Sequence, residues 1–263
     1  MNGGSSSSDP EAENLNARIH APLGAWPGDM DRVDLDGERL SASEKAFVHT
    51  TKDNERVFKY FYNLTNQPMT HLATRELRMM LLAGEDISVK VEGRVFTFRG
   101  DLEGFVMPRE STLDLGSPKA TKRRWIEQLQ KLVSNMHDKG ILHGDIKPAN
   151  ILVTGNGELV FCDWAAAQFK AEAKAPNEGT TAYQSPWRCR QYELPLCESD
   201  DLYALGISIW EIWVGLPPFD SEKLKDFEYS LDHEIADGLK PDLAAVDDED
   251  VRGLIEMYLN SQP

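Results

Sequence analysis

Between His143 and Asp163 the chain sets two aspartates, Asp145 and Asp163, beside the amide of Asn150 and the ammonium of Lys147. Asp145, Lys147 and Asn150 lie in His143-Gly144-Asp145-Ile146-Lys147-Pro148-Ala149-Asn150-Ile151-Leu152, and Asp163 follows 18 residues after Asp145 in Phe161-Cys162-Asp163-Trp164-Ala165. A carboxylate can take a proton from a hydroxyl, and carboxylate and amide oxygens are the hard donors that Mg²⁺ prefers. Read singly, these are polar residues of a surface loop, and His143 is a packed structural histidine before it is a proton carrier. The combination of Asp-x-Lys-x-x-Asn with a following Asp-Trp, each at a defined place between elements, points instead to a reaction centre.

Those places are set by strong periodicity on either side. From Lys119 to Asp138, residues Trp125, Ile126, Leu129, Leu132, Val133 and Met136 recur at three- and four-residue steps, one face of an amphipathic helix that Gly140 stops. Ile151 to Val153 and Leu159 to Cys162 flank Gly155-Asn156-Gly157 as a hairpin, so the polar run is the loop between helix and hairpin. Leu202 to Val214 is apolar nearly all round, which predicts a buried helix. The first half reads differently. Ala46 to Thr51 and Arg56 to Phe61 flank the polar turn Lys52 to Glu55, a hairpin signal; a helix from Thr70 to about Leu82 presents Leu72, Leu77, Met80 and Leu81. A second hairpin is expected from Ile87–Val91 and Val95–Phe98 across Glu92-Gly93, then a short strand Gly104 to Met107. Residues 1–36, with the serine run Ser5 to Ser8 and few apolar residues, read as a disordered tail.

The polar loop resembles the catalytic loop and metal-binding motif of the eukaryotic protein kinases, Ser/Thr type. Phosphoryl transfer needs a carboxylate to orient the attacking hydroxyl and take its proton, a cation near the transferred group, and oxygen ligands for Mg²⁺. The resemblance implies Asp145 as the base, Lys147 as the cation, Asn150 and Asp163 as Mg²⁺ ligands, and ATP as phosphoryl donor. It continues through Gly179-Thr180-Thr181-Ala182-Tyr183-Gln184-Ser185-Pro186, similar to the family's substrate-side Gly-Thr-x-x-Tyr-x-Ala-Pro-Glu. Asp201-Leu202-Tyr203-Ala204-Leu205-Gly206 is similar to the start of its buried central helix, closed by Gly215-Leu216-Pro217-Pro218-Phe219. Lys147 together with Thr180 implies a protein substrate with Ser or Thr acceptors.

Upstream, Lys59 in Val57-Phe58-Lys59 is similar to the Lys of Val-Ala-x-Lys, and Glu76, 17 residues later, to the helix Glu that pairs with it to anchor the α- and β-phosphates. The residues alone also allow an edge-strand Lys and a Glu satisfied by Arg75 and Arg78. In the hinge run Val106-Met107-Pro108-Arg109-Glu110 the resemblance makes Met107 the guard of the back pocket. Adenine would then be read by the Pro108 carbonyl and the Glu110 N–H, with Leu152 among the nucleotide-contacting residues. The implied fold is α+β and two-lobed: a β-rich N-lobe with one helix over 37–107, and a mainly helical C-lobe over 108–263, truncated at its C-terminal end.

Four departures stand out. Leu40-Ser41-Ala42-Ser43-Glu44-Lys45-Ala46-Phe47 occupies the place of Gly-x-Gly-x-x-Gly-x-Val with none of its glycines. Phe47 and Val57 replace the smaller Val and Ala that pack on adenine, which would partly fill the pocket. Gly144 replaces the Arg that reads a phosphorylated activation loop, so no such switch is expected. Trp187 replaces the Glu of Ala-Pro-Glu, and Pro263 comes before the helix whose Arg pairs with it; losing both partners costs less than losing one.

Composition sets the outer bounds. With 263 residues, 41% hydrophobic and 27% charged, the chain is neither collagen-like, nor wholly disordered, nor a disulfide scaffold. Its apolar stretches are shorter than the roughly 20 residues that cross a bilayer, and three cysteines without Cys-x-x-Cys fit a reducing, intracellular compartment, cytoplasmic or nuclear. Residues 193–263 carry 18 acids against 4 bases within a net charge of −16, so neither nucleic acid nor an anionic membrane is an expected partner. Two alternatives to an active protein kinase stay open. The missing glycines allow a pseudokinase acting as a binding or scaffold module, and His-Gly-Asp with Asp-Trp also resembles small-molecule phosphotransferases of the aminoglycoside or choline kinase type.

Overall fold

The computed structural model describes residues 37–43, 45–62, 69–176, 178–219 and 231–261, and the expected tail over 1–36 lies outside them. The described residues divide into two compact units. The first holds the residues through Leu82 together with Lys90–Arg109. Its five strands are β1 (Arg39–Ala42), β2 (Ala46–Thr50), β3 (Arg56–Phe61), β4 (Gly93–Phe96) and β5 (Leu102–Pro108), in the antiparallel order β1-β2-β3-β5-β4. The hairpin expected around Lys52 to Glu55 is β2–β3. Lys59 therefore lies in the middle strand and not on an edge. Gly104 faces the β3 backbone so closely that a Cβ would sit 2.2 Å from the Lys59 carbonyl oxygen, which reserves that position for glycine. Helix α1 (Thr70–Ala83) buries Ala73, Glu76, Leu77, Met80 and Ala83 on one face, with Leu72 and Leu81 at its half-buried margin.

The hairpin expected from Ile87–Val91 does not form. Residues 87–92 contain no strand apart from a single parallel bridge between Ser88 and Phe161, and β4 pairs with β5 across residues 97–101 instead. The alternation of Ile87 and Val89 had a different cause: both are buried, and the Val89 N–H and Ile87 carbonyl bond the Phe161 backbone. That exchange is why residues 83–89 belong to the second unit, while Pro108, paired with Arg56, stays with the sheet; the boundary expected after residue 107 is thus displaced.

The second unit, Ala83–Val89 with the residues from Glu110 onward, is mainly helical. Helix α2 (Lys119–Asp138) buries its predicted stripe from Trp125 to Met136, and Gly140, at φ 69°, takes the left-handed conformation just past its end. Short strands β6 (Ser111–Thr112), β8 (Ile151–Val153) and β9 (Leu159–Phe161) form one sheet, in which Leu152 lies between Thr112 and Val160; β7 (Ile141–Leu142) pairs with β10 (Gln168–Phe169). Helices α3 (Pro186–Arg190), α4 (Glu198–Val214), α5 (Leu231–Ala236) and α6 (Glu249–Leu259) complete the unit. Helix α4 is buried nearly all round, as its composition demands, and packs on α2 and α6. No helix among the described residues is long and apolar enough to cross a membrane.

Candidate active site

The loop from His143 to Asn150 closes on itself through side chains. Asp145 Oδ2 accepts from Lys147 Nζ at 2.7 Å and from Asn150 Nδ2 at 2.9 Å, and its Oδ1 accepts from the Thr180 hydroxyl at 2.7 Å. Lys147 Nζ also donates to Thr180 Oγ1 at 2.7 Å, and Asn150 Nδ2 to the Asp145 carbonyl at 2.8 Å. Four predicted residues, 35 positions apart in sequence, therefore share one network around a single carboxylate. A carboxylate fixed by charge-assisted bonds presents its lone pairs in a set direction, which is what orienting a hydroxyl requires.

His143 holds this loop from beneath. It is fully buried against Phe161 and Trp164, with ring centroids 4.8 and 5.0 Å away, and its Nδ1 accepts the Asp145 N–H at 3.3 Å. Burial pushes its pKa below the ordinary 6.5, against the raising effect of Asp201, Asp145 and Asp163, so the ring is neutral and structural. The backbone is gripped from the other side by Asp201 of α4. Asp201 Oδ2 accepts the His143 N–H and Oδ1 the Gly144 N–H, both at 2.9 Å, and His137 Nε2 of α2 meets Oδ2 at 2.9 Å. From the sequence, Asp201 shows only as the start of a helix. Its signal was the charge itself, since a carboxylate opening an otherwise apolar helix needs buried donors.

Gly144 is at φ 76°, and a Cβ there would lie 3.0 Å from the Ala166 carbonyl oxygen and 3.1 Å from Leu196 Cδ2. A side chain there would be crowded by its neighbours and strained at this left-handed φ, which suits glycine in place of the Arg. Asp163 carries the other notable backbone. It has φ 58°, a left-handed conformation costly for a non-glycine residue and concentrated at functional positions.

The substrate-side run ends in α3, where Ser185 caps the helix by accepting the Arg188 N–H at 2.9 Å. The Tyr183 hydroxyl donates to Glu211 of α4; burial pushes both groups' pKa values upward. The ion pair expected to be lost with Trp187 has a counterpart one residue later. Arg188, 3% exposed, donates from Nε and Nη2 to both oxygens of Asp200, at 2.9 and 2.6 Å. It also donates to the carbonyls of Gln191, Leu194 and Pro195. Nothing in the sequence motif announced this pair, because neither residue occupies a motif position.

In the first unit, Lys59 Nζ lies 2.7 Å from Glu76 Oε1, with side chains 8% and 2% exposed. The partner of Glu76 is thus Lys59 of the sheet rather than its helix neighbours alone. The strand register corrects the reading of the glycine-loop segment. Residues directly opposite in an antiparallel pair share a face, and alternate residues face opposite ways. Lys59 is opposite Val48, whereas Phe47 is opposite Tyr60 and stacks on it at 5.4 Å. Phe47 is therefore on the face away from Lys59, and Val48 takes the place of the motif's Val. The three glycine positions then fall on Ser41, Ser43 and Ala46, all small. Val57, opposite Met107 in β5, does share the Lys59 face. Met107 is buried, Pro108 ends β5, and Glu110 is the first residue of the second unit's run.

A Mg²⁺ ion would be held by Asp163 and the amide oxygen of Asn150, whose nitrogen donates to the Asp145 carbonyl and carboxylate. Among the described residues no three His, Cys, Asp or Glu side chains form a metal cage. That set fits Mg²⁺, which is characteristically held by one or two protein oxygens and completed by phosphates and water.

The protein kinase domain family model matches residues 106–263. The Aurora kinase of Eremothecium gossypii is 35% identical over 109 residues, covering 40% of this chain and 28% of that one. A mitogen-activated protein kinase kinase kinase 7-like protein of Drosophila melanogaster is 29% identical over 250 residues, 89% of this chain and 63% of that one. The chain thus spans less than two thirds of the length of these curated relatives. The solved structure of the Cydia pomonella granulovirus kinase PK-1 superposes with a TM-score of 0.64 at 20% identity, covering 86% of both chains, and shares the fold. A family model matching more than half of the sequence, nearly all of it in the mainly helical second unit, places the chain in the protein kinase domain family.

Proposed function

We propose that the chain is an active protein kinase that transfers the γ-phosphoryl group of ATP to Ser or Thr hydroxyls of a protein. The observation that carries this reading is the closed network of Asp145, Lys147, Asn150 and Thr180. Asp145 orients the acceptor hydroxyl and takes its proton, and Lys147 sets a positive charge beside it where negative charge is transferred. Lys59, paired with Glu76, is the candidate for the α- and β-phosphates, and Met107, the Pro108 carbonyl, the Glu110 N–H and Leu152 are the candidates for the base. Mg²⁺, held by Asn150 and Asp163, would neutralise phosphate charge. A general base of this kind contributes about 10²- to 10⁴-fold, so Asp145→Asn should lower transfer by roughly 10³-fold while ATP affinity stays within about twofold. Unchanged turnover in that variant would remove Asp145 from its role.

A second reading, a binding module without turnover, draws on the β1–β2 turn. Ser43 Oγ accepts the N–H groups of Lys45 and Ala46 at 3.3 and 3.0 Å, donors of the kind a glycine-rich loop offers to phosphate. Calorimetric titration with ATP, with and without Mg²⁺, separates the two. Mg²⁺-dependent binding that disappears in Asp163→Ala supports the kinase, and no binding at millimolar nucleotide supports the module.

A further inference from the structure

The buried pair that appears beside Trp187 has more partners than an ion pair needs. Besides Asp200, the Arg188 guanidinium reaches the Gln191 carbonyl at 3.0 Å, the Leu194 carbonyl at 2.7 Å and the Pro195 carbonyl at 2.9 Å, so one side chain fixes the whole turn between α3 and α4. That turn is in contact with the segment that precedes the Gly179–Pro186 run. The Leu196 N–H donates to the Lys174 carbonyl at 2.9 Å, and Lys174 is clasped again by Gln168, whose Oε1 accepts its N–H at 2.8 Å. Leu196 is buried and its Cδ2 occupies the space beside Gly144, next to Asp145. At the other end, Asp200 adjoins Asp201, the residue that grips the His143 and Gly144 amides. Gly144, Asp145, Glu178, Thr180, Gln184 and Arg188 all line one small cavity.

We propose that Arg188, anchored on Asp200, is a positioning residue for the protein acceptor: it fixes the α3–α4 turn, and through Leu196 the segment from Gln168 to Lys174, against the catalytic loop. The fastening consists of backbone carbonyls, one buried arginine and a leucine. It needs no phosphate and no arginine at position 144, so the acceptor side is held in its working shape by the fold itself. The acceptor clause rests on the kinase reading above; the fastening does not.

The test is made on the full chain with Arg188→Lys, which keeps the charge but loses the fork, and Asp200→Asn, which keeps the shape. Arg188→Met, which leaves Asp200 buried without its counter-charge, is added if it folds. Amide exchange is followed in peptides covering 168–176 and 178–185, beside those of 186–197, and steady-state kinetics are measured with a histone mixture as acceptor. The expected result is exchange at least about tenfold faster in both upstream peptides. The acceptor KM should rise about tenfold, with the ATP KM and acceptor-free ATP hydrolysis within about twofold. Faster exchange confined to 186–197 overturns the fastening, and equal changes in both KM values, or a loss of active fraction alone, overturn the positioning role. A wild type that hydrolyses no ATP defeats the kinase reading and the acceptor clause with it, while the exchange data still decide the fastening.

Discussion

The buried carboxylates of the two units are satisfied in opposite ways. Glu76 in the first unit is bonded to a side chain, Lys59, whereas Asp201 in the second holds two backbone N–H groups and the ring of His137. A side-chain partner can be removed along with the residue it pairs with; a backbone N–H cannot. The first arrangement is therefore replaceable in stability terms and kept for what the Lys59 ammonium does, while the second is part of the chain's path. The largest effect follows from this asymmetry. Asp201→Ala strands the buried His143 amide and the half-buried Gly144 amide and should cost about 3–5 kcal/mol in denaturant unfolding, with no second substitution able to restore it. Lys59→Met alone should cost a similar amount by leaving Glu76 charged and buried, but adding Glu76→Leu should recover most of it, with ATP turnover still lost. If the Lys59/Glu76 double variant stays as unstable as the single one, the contrast between the units fails.

The register of β2 sharpens the comparison on the first unit's side. Val48→Phe puts an aromatic ring on the Lys59 face and should weaken ATP binding by more than about tenfold in calorimetry. Phe47→Val should change it less than about twofold, and cost roughly 1 kcal/mol through the lost stacking on Tyr60. The reverse order would mean that the motif runs from Leu40 to Phe47 after all.

What the sequence displayed, and what it hid, follows the same line. Helix α2 and the β8–β9 hairpin were readable because a long apolar period and a Gly-Asn-Gly turn are local signals. The polar loop between them was readable because residue types and spacing survive without any knowledge of packing. The face of β2 was not: Phe47 and Val48 are adjacent and both apolar, and only the pairing Val48 with Lys59 decides which one shares the Lys59 face. Ile87 and Val89 alternate as a strand would, yet their partner is Phe161, more than 70 residues on. Arg188 and Asp200 became a pair only through a turn that brings α3 to the start of α4. Long-range pairing, rather than weak local preference, is what the sequence alone did not display.

A smaller effect separates His143 from the charged residues around it. Its folded pKa is below the ordinary 6.5, so as pH falls through that value the unfolded chain takes up a proton that the folded chain refuses. Stability should decline on acidification below about pH 6.5, by at most about 1.4 kcal/mol per unit from this group. Thermal unfolding at pH 7.5 and 5.5 should show a weaker decline in His143→Phe. An equal decline in both proteins would assign the acid sensitivity elsewhere.

The smallest expected effect is none. Thr181 opens a short 3₁₀ turn, 181–183, whose Tyr183 N–H and Gln184 N–H are already bonded to the carbonyls of Thr180 and Thr181. A phosphate on a loop orders it by pairing with a guanidinium, and the position that supplies one in the family is Gly144, which has no side chain and whose φ of 76° would strain one. Lys147 is already bonded to Asp145 and Thr180. Thr181→Glu should therefore leave kcat and both KM values within about twofold. A large activation would mean that a cation reaches the turn from elsewhere in the chain, and that the second unit is not held by its own backbone contacts but waits for a charge to complete it.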